Sequence, residues 1–198
     1  MKKKIVIIGS GIAGLTAANL LKSHSNFDVM VYEKETILSL DEGYGIQLSP
    51  NSVSILNKMG FSNIENNNFF NPLKLNFYSN DNKKICDLNL DKFNTDKIKY
   101  TTLKRSTLIE FLKSDLFLKK IKFGKEVKKV SQIKGKLLIN FVDNTNDLVD
   151  YIIVSDGVFS KTKSVIENGG SSLGVNNNSL HIYSQNDILT NTTYSQYF

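Results

Sequence analysis

The sequence predicts an α/β fold: a parallel βαβ unit at the amino end, antiparallel hairpins inserted after it, and a further buried strand late in the chain. Three observations carry this. The apolar run Ile5-Val6-Ile7-Ile8 leads straight into Gly9-Ser10-Gly11-Ile12-Ala13-Gly14, with Leu15 and Ala17-Ala18 following at helical positions. A second apolar run, Val29-Met30-Val31-Tyr32, closes on Glu33, 19 residues after Gly14. Farther on, 73–90 and 125–142 read as hairpins, with apolar and polar side chains alternating over 73–79 and Leu137, Ile139 and Phe141 alternating on the second arm of the other, the period of half-buried antiparallel strands.

Taken in order, residues 4–8 form a buried strand, 12–22 a helix and 28–33 a second strand, and the two strands are expected as parallel neighbours. Gly43-Tyr44-Gly45-Ile46-Gln47-Leu48 reads as a flexible turn entering a short strand. Ser49 then caps a helix that has Pro50 at its first position, Gly60 past its end, and Val53, Leu56 and Met59 on its apolar face. Leu73, Leu75 and Phe77 share one face of a strand, Asn80-Asp81-Asn82 makes the turn, and 84–90 return as a hairpin. From Arg105 to Leu118 the spacing of Leu108, Leu112 and Leu116 is helical, with Thr107 and Glu110 placed as a capping box. The second hairpin turns at Lys134-Gly135, with Leu137, Ile139 and Phe141 alternating on its return arm. Tyr151-Ile152-Ile153-Val154 is a buried strand ending at Ser155-Asp156-Gly157, after which Ser160 caps a short helix through Ile166. Beyond Lys163 no Lys or Arg occurs, and Ser, Asn, Gly and Thr dominate. That composition is linker-like, with a weak strand near Leu180–Tyr183 its one structured candidate.

Composition narrows the function. The chain has 198 residues, 40% of them apolar, enough for a sizeable core. Its formal charge is +6, but the lysines are scattered and no run exceeds the three at Lys2–Lys4, so a phosphate-bearing small ligand suits the excess better than a nucleic acid. Arg105 is the only arginine among 25 basic residues. A planar fork of donors used once invites a phosphate or carboxylate partner. Cys86 is the only cysteine, which rules out an internal disulfide, fits a reducing compartment, and reads as a buried filler in a strand. His24 and His181 are isolated, so no metal site is expected. The basic, then apolar, amino end resembles a secretory leader only superficially, because Gly9, Gly11 and Gly14 interrupt it. No stretch reaches the length of a membrane span.

The chemistry sits at strand ends. In a strand–GxGxxG–helix unit the first glycine permits the tight turn, the second lets the backbone approach a pyrophosphate, and the third lets helix and strand pack closely. The helix N-terminus offers free N–H groups to the phosphates. An acid about 20 residues on, here Glu33, accepts hydrogen bonds from a ribose diol. This is a dinucleotide-binding fingerprint that does not say which dinucleotide. Asp156-Gly157 follows another buried strand, where ligands of open α/β sheets lie. A lone Asp-Gly is equally a plain turn.

Four segments resemble the FAD-dependent aromatic-ring hydroxylases, a group of single-component flavoprotein monooxygenases. "IVIIGSGIAGLTAANLL" with Glu33 is similar to the family's first FAD segment, and "GYGIQLSPNSVSILNKMG" to the loop and helix that come next. "LKRSTLIEFL" resembles the helix whose leading arginine lies beside the FAD, and "DYIIVSDGVFSKTKSVI" the family's DG segment. Order and spacing agree over about residues 3 to 166.

The resemblance implies a Rossmann-like FAD-binding domain of the GR2 type over 1–166, with 71–100 a β insertion belonging to the sheet of an incomplete substrate domain, and 167–198 a divergent tail. It implies a cofactor-binding set of Gly9, Ser10, Gly11, Ile12, Ala13, Gly14, Glu33, Lys34, Gly45, Ile46, Arg105, Asp156 and Gly157, and names no catalytic acid or base. Of these, the glycine loop would receive the pyrophosphate, Glu33 the adenosine ribose and Arg105 the diphosphate region. Asp156 would fall in a segment serving both FAD and the visiting NAD(P)H. The activity implied is NAD(P)H- and O2-dependent hydroxylation of an aromatic or quinone-precursor molecule, in the cytoplasm.

Two departures qualify it. Lys163 stands where the family's DG segment carries an arginine, keeping the charge without the fork. The family's later Gly-Asp motif has no counterpart, since none of the 12 glycines precedes an aspartate, so either a fragment of a longer frame or an unrelated end over about the last 30 residues is expected. Three readings follow: a flavoprotein monooxygenase or its amino-terminal half; a non-catalytic FAD-binding module with an exposed apolar sheet face; and an NAD-dependent dehydrogenase. Arg105, the DG segment and the lack of a hydride-transfer site argue against the last.

Overall fold

A computed structural model describes residues 1–38, 44–64, 66–113, 119–157, 159–167, 180–183 and 195–196. The chain forms two compact units, Met1–Leu38 with Leu112–Phe198, and Ser39–Phe111.

The first unit is built on a sheet whose centre is β1 (Lys3–Ile8). β2 (Phe27–Tyr32) lies parallel on one side of it and β12 (Tyr151–Val154) parallel on the other, with Ile8 level with both Tyr32 and Val154. The short β8 (Ile121–Lys122) extends the parallel set beyond β2. Beyond β12 the order continues antiparallel through β13 (Leu180–Tyr183) to β14 (Ser195–Gln196). The weak strand expected near Leu180 is therefore present, and most of 167–198 lies outside the described residues.

Helix α1 (Ile12–Lys22) packs on β1 and β2, burying Gly14, Leu15, Ala18 and Asn19. The one polar member of that stripe is satisfied: Asn19 Nδ2 donates to the carbonyls of Leu15 (2.9 Å) and Leu112 (2.8 Å).

A second sheet, β9 (Val127–Ile133), β10 (Lys136–Phe141) and β11 (Asn146–Val149), closes the other side. Lys134 and Gly135 both adopt positive φ (49° and 76°), the two-residue turn whose twist matches its strands. Leu137, Ile139 and Phe141 alternate inward as expected, and meet Val6, Ile8, Tyr32, Ile152 and Val154 in one apolar cluster. Helix α4 (Lys161–Glu167) packs on β9, and the Ser160 hydroxyl caps it by accepting from the N–H of Lys163 at 3.1 Å.

Tyr32 bridges the two sheets. Its ring packs edge-on to Phe141 (4.7 Å between centroids), and its hydroxyl donates to Asp147 at 2.6 Å. Asp147 also takes an ion pair from Lys4. Burial, then the hydrogen bond to Asp147, pushes the Tyr32 hydroxyl above its ordinary 10.0. A raised value keeps the native proton on while the unfolded chain loses it, so this contribution is complete below pH 10 and falls as pH rises through the native value. Tyr32→Phe is expected to cost about 2 kcal/mol near neutral pH and to flatten the alkaline loss of stability. Urea titrations at neutral and alkaline pH check both.

The second unit holds β3 (Gly45–Leu48), α2 (Pro50–Asn57), β4 (Phe69–Phe70), the hairpin β5 (Lys74–Tyr78) and β6 (Lys84–Asn89), β7 (Thr101–Lys104) and α3 (Arg105–Leu112). β7 is the middle strand between β3 and β4, antiparallel to both. Ser49 occupies the N-cap position of α2, but its hydroxyl turns to the side chains of Asn51 and Ser52 instead of a helix N–H.

Three sequence expectations are corrected here. Cys86 lies in a strand but is exposed, because among the described residues β6 pairs with β5 alone and both strands are open along most of their length. Leu73 and Ile85 are each 67% exposed, and Phe77 and Tyr78 are exposed with them. Thr107 and Glu110 do not form a capping box: β7 runs directly into α3, so Thr107 is already the third helical residue. The helix ends at Leu112, and Leu116 lies outside the described residues.

Candidate functional site

In the first unit the site is the crevice at the carboxyl ends of β1 and β12, where the chain turns from β1 toward β2 on one side while β12 flanks the other. Ligands of open α/β sheets lie at such a switch point.

Each glycine of the loop answers to a different contact. Gly9 has φ +100°, and a Cβ there would fall 2.5 Å from the carbonyl oxygen of Ser155. Its N–H donates to the Tyr32 carbonyl at 2.8 Å, tying the loop to the end of β2. Gly14 faces Gly9 across the turn: a Cβ on it would lie 2.0 Å from the Gly9 carbonyl oxygen and 2.7 Å from Ser155 Oγ. Gly11 is the opposite case, with no heavy atom within 4 Å of the position a Cβ would take. Close packing thus fixes the first and third glycines, and open space surrounds the second.

Gly11 is the N-cap of α1, with no side-chain cap and no acid in the first turn. The first N–H groups of a helix have no partners within it, and here none is claimed by a cap. The first-turn residues Ile12 and Ala13 present this end of the helix beside Gly11.

Glu33 sits just past β2, half-buried, and is held by the loop. Its Oε2 accepts from both the N–H and the hydroxyl of Ser10, each at 2.8 Å, and its Oε1 accepts from the N–H of Glu35 at 3.0 Å. Lys34 is exposed and ion-paired with Glu35 at 3.7 Å.

Across the crevice, Ser155 closes β12 against the loop. Its N–H and hydroxyl both donate to the Ile8 carbonyl, at 2.8 and 2.9 Å. Asp156 Oδ2 accepts from the N–H of Thr162 at 3.2 Å, while its Oδ1 is buried with no hydrogen-bond partner among the described residues. Gly157 takes φ +87°, a conformation that favours glycine. The structure thus brings together Gly9–Gly14, Glu33 and Asp156–Gly157. Two contributors were not singled out from the sequence: Ser155, whose signal is only its place between strand and Asp156, and the bond between Ser10 and Glu33.

In the second unit Gly45 opens β3 opposite Lys104, and the N–H of Arg105 donates to the Tyr44 carbonyl at 3.1 Å. Ile46 pairs with Leu103 in the next register position. The Arg105 guanidinium lies over the Tyr44 ring, 5.8 Å from its centroid. Gly45, Ile46 and Arg105, which come from two separate segments of the sequence, meet where β3 pairs with β7.

The donors and acceptors of the first unit fit a dinucleotide such as FAD: an open approach at Gly11, an uncapped helix end for a diphosphate, and a buried acceptor at Asp156 that a ligand donor would satisfy.

The NAD(P)-binding Rossmann-like domain model matches residues 7–41. A 3-amino-4-hydroxybenzoate 2-monooxygenase of Streptomyces platensis is 47% identical over 62 residues, 31% of this chain and 15% of that protein. The 6-hydroxynicotinate 3-monooxygenase of Pseudomonas fluorescens is 27% identical over 165 residues, covering 81% of this chain and 42% of its own length. Among solved structures, Klebsiella pneumoniae HpxO complexed with FAD and uric acid superposes with a TM-score of 0.66 at 24% identity, over 82% of this chain and 41% of that one. The 2,6-dihydroxypyridine-3-hydroxylase of Arthrobacter nicotinovorans gives 0.66 at 22%, over 83% and 39%. The chain spans less than half the length of each protein it matches here. Its sequence relatives are monooxygenases, several of them FAD-dependent by name, and it shares the Rossmann-like α/β fold of these solved structures.

Proposed function

We propose that this chain is the FAD-holding portion of a flavoprotein monooxygenase that takes O2, NAD(P)H and a small aromatic or heteroaromatic substrate. The observation that carries this reading is the open approach at Gly11 beside the uncapped end of α1, with Glu33 and with Asp156, whose Oδ1 has no partner among the described residues, in the same unit.

FAD, when bound, supplies the redox chemistry of O2 activation. The chain's own groups bind and orient. The N–H groups of Gly11, Ile12, Ala13 and Gly14 face negative charge at the helix end. Glu33 accepts from the ribose, and Asp156 and Gly157 line the opposite wall. Ser10 enters through Glu33, and Lys34 contributes positive charge at the rim. For Gly45, Ile46 and Arg105 the support is the resemblance, together with their grouping at the start of β3 and α3. NAD(P)H as reductant rests on the resemblance of the DG segment. A cytoplasmic location suits a chain whose only cysteine, Cys86, is an exposed thiol. No helix among the described residues is long and apolar enough to cross a membrane.

A second reading, a FAD-binding module without turnover, is favoured by one observation: the apolar side chains of β5 and β6 lie open to solvent. Loading the chain with FAD and following NADPH oxidation with candidate phenols separates the two. Substrate-dependent oxidation with hydroxylated product supports the monooxygenase, and bound FAD with no turnover supports the module. Arg105→Lys keeps the charge but loses the planar fork, so FAD retention on gel filtration is expected to weaken several-fold, about 1 kcal/mol. Unchanged retention would remove Arg105 from the proposed set.

A further inference from the structure

We propose that Ser10 is the positioning residue for the nucleotide's ribose, its hydroxyl fixing Glu33 so that the carboxylate offers one free in-plane acceptor, at Oε1. The inference rests on the nucleotide reading above and goes beyond it, because it gives the variable residue of the Gly9-x-Gly11 turn a specific task.

Ser10 is 4% exposed, so its hydroxyl does not face solvent. It is turned toward β2, where it and its own N–H both donate to Glu33 Oε2 at 2.8 Å. A carboxylate oxygen accepts along about two in-plane lone-pair directions, and Ser10 occupies both on Oε2. The N–H of Glu35 occupies one on Oε1, at 3.0 Å. Among the described residues, what remains is a single direction on Oε1, on a side chain whose rotamer is held from the loop and from the residue after Lys34. Hydrogen bonds to a charged acceptor are the stronger kind, so the hold is firm.

The consequence is directional. A glutamate free to rotate would meet a ribose with a spread of orientations and would lose rotamer freedom on binding. Held by Ser10, it is already ordered, and that cost is met on folding. The ligand class implied is an adenine nucleotide with free ribose hydroxyls. A 2′-phosphate would set further negative charge against a carboxylate that cannot swing away.

Removing the hydroxyl leaves the bonds from the N–H groups of Ser10 and Glu35 in place, so Ser10→Ala is expected to fold normally while the carboxylate, without its hydroxyl bond, is held less firmly. The test is calorimetric titration of the full chain and of Ser10→Ala with ADP and with 2′,3′-dideoxy-ADP, which lacks the diol. The wild-type chain is expected to prefer ADP. In Ser10→Ala, ADP binding should weaken about tenfold while dideoxy-ADP changes little, so that the preference collapses. A wild-type chain that binds ADP while Ser10→Ala retains the preference, or weakens both ligands equally, overturns the inference and leaves the nucleotide reading standing. A wild-type chain that binds neither ADP nor FAD overturns both.

Discussion

Gly14→Ala is expected to be among the most destabilising single substitutions in the chain, although it places a better helix former inside a helix. Propensity alone favours alanine over glycine there by about 1 kcal/mol. Against it stands a Cβ 2.0 Å from the Gly9 carbonyl oxygen and 2.7 Å from Ser155 Oγ. The nearer atom is backbone and cannot swing aside. Gly9 is itself held by its bond to the Tyr32 carbonyl and by contact with Ser155. Relief requires α1 to move off β1, which opens the packing of Leu15 and Ala18. Overpacking of this kind outweighs the propensity gain, for a net loss of about 2–3 kcal/mol and a fall in Tm of roughly 5–10 °C. Thermal melts of Gly14→Ala and wild type check it. An unchanged Tm would mean that the helix and strand do not approach as closely as described. Gly9→Ala should behave alike, with a left-handed φ adding to the clash with Ser155.

Gly11→Val is expected to do the reverse, sparing the fold and removing the ligand. Gly11 has φ −72° and ψ −175°, extended backbone that a β-branched residue adopts readily, and nothing lies within 4 Å of its Cβ position. Losing glycine at an N-cap costs less than about 1 kcal/mol. The isopropyl group would, however, fill the space through which a pyrophosphate approaches the helix end. Affinity for FAD should fall at least about tenfold, 1.4 kcal/mol, while the melting curve stays close to wild type. Flavin fluorescence titration beside a thermal melt gives both numbers. Equal FAD affinity would show that the ligand, if any, lies elsewhere.

These two substitutions divide what the sequence reveals from what it hides. The βαβ unit was legible because Ile5–Ile8, Gly9–Gly14 and Val29–Tyr32 carry a strand run, a turn and a helix period without conflict, and β1, α1 and β2 lie within a residue of expectation. The β9–β10 hairpin was legible for the same reason, with Gly135 marking its turn. β11 was not: Asn146-Asp147-Leu148-Val149 is half polar, and Asp147 is there to receive Tyr32 and Lys4. Alternation in β5 and β6 told which residues share a face but not whether anything covers it, so Cys86 was placed inside when it is exposed. At the candidate site, spacing singled out Gly9, Gly14 and Glu33, which the fold brings together. It said nothing of the direction of a serine hydroxyl, so the Ser10–Glu33 bond became visible only in three dimensions. Ser155 escaped because its role is a carbonyl that crowds Gly9 and an N–H and hydroxyl turned back onto β1, which no residue pattern encodes.

The central claim is that the crevice between Gly9–Gly14 and Asp156–Gly157 holds FAD, and an absorbance spectrum of the purified chain, alone and after adding FAD and removing the excess, tests it most directly. The account predicts a flavin band at about 450 nm that stays with the protein, a property of the cofactor itself, and its loss in Gly11→Val. A colourless chain that retains no added FAD would contradict it.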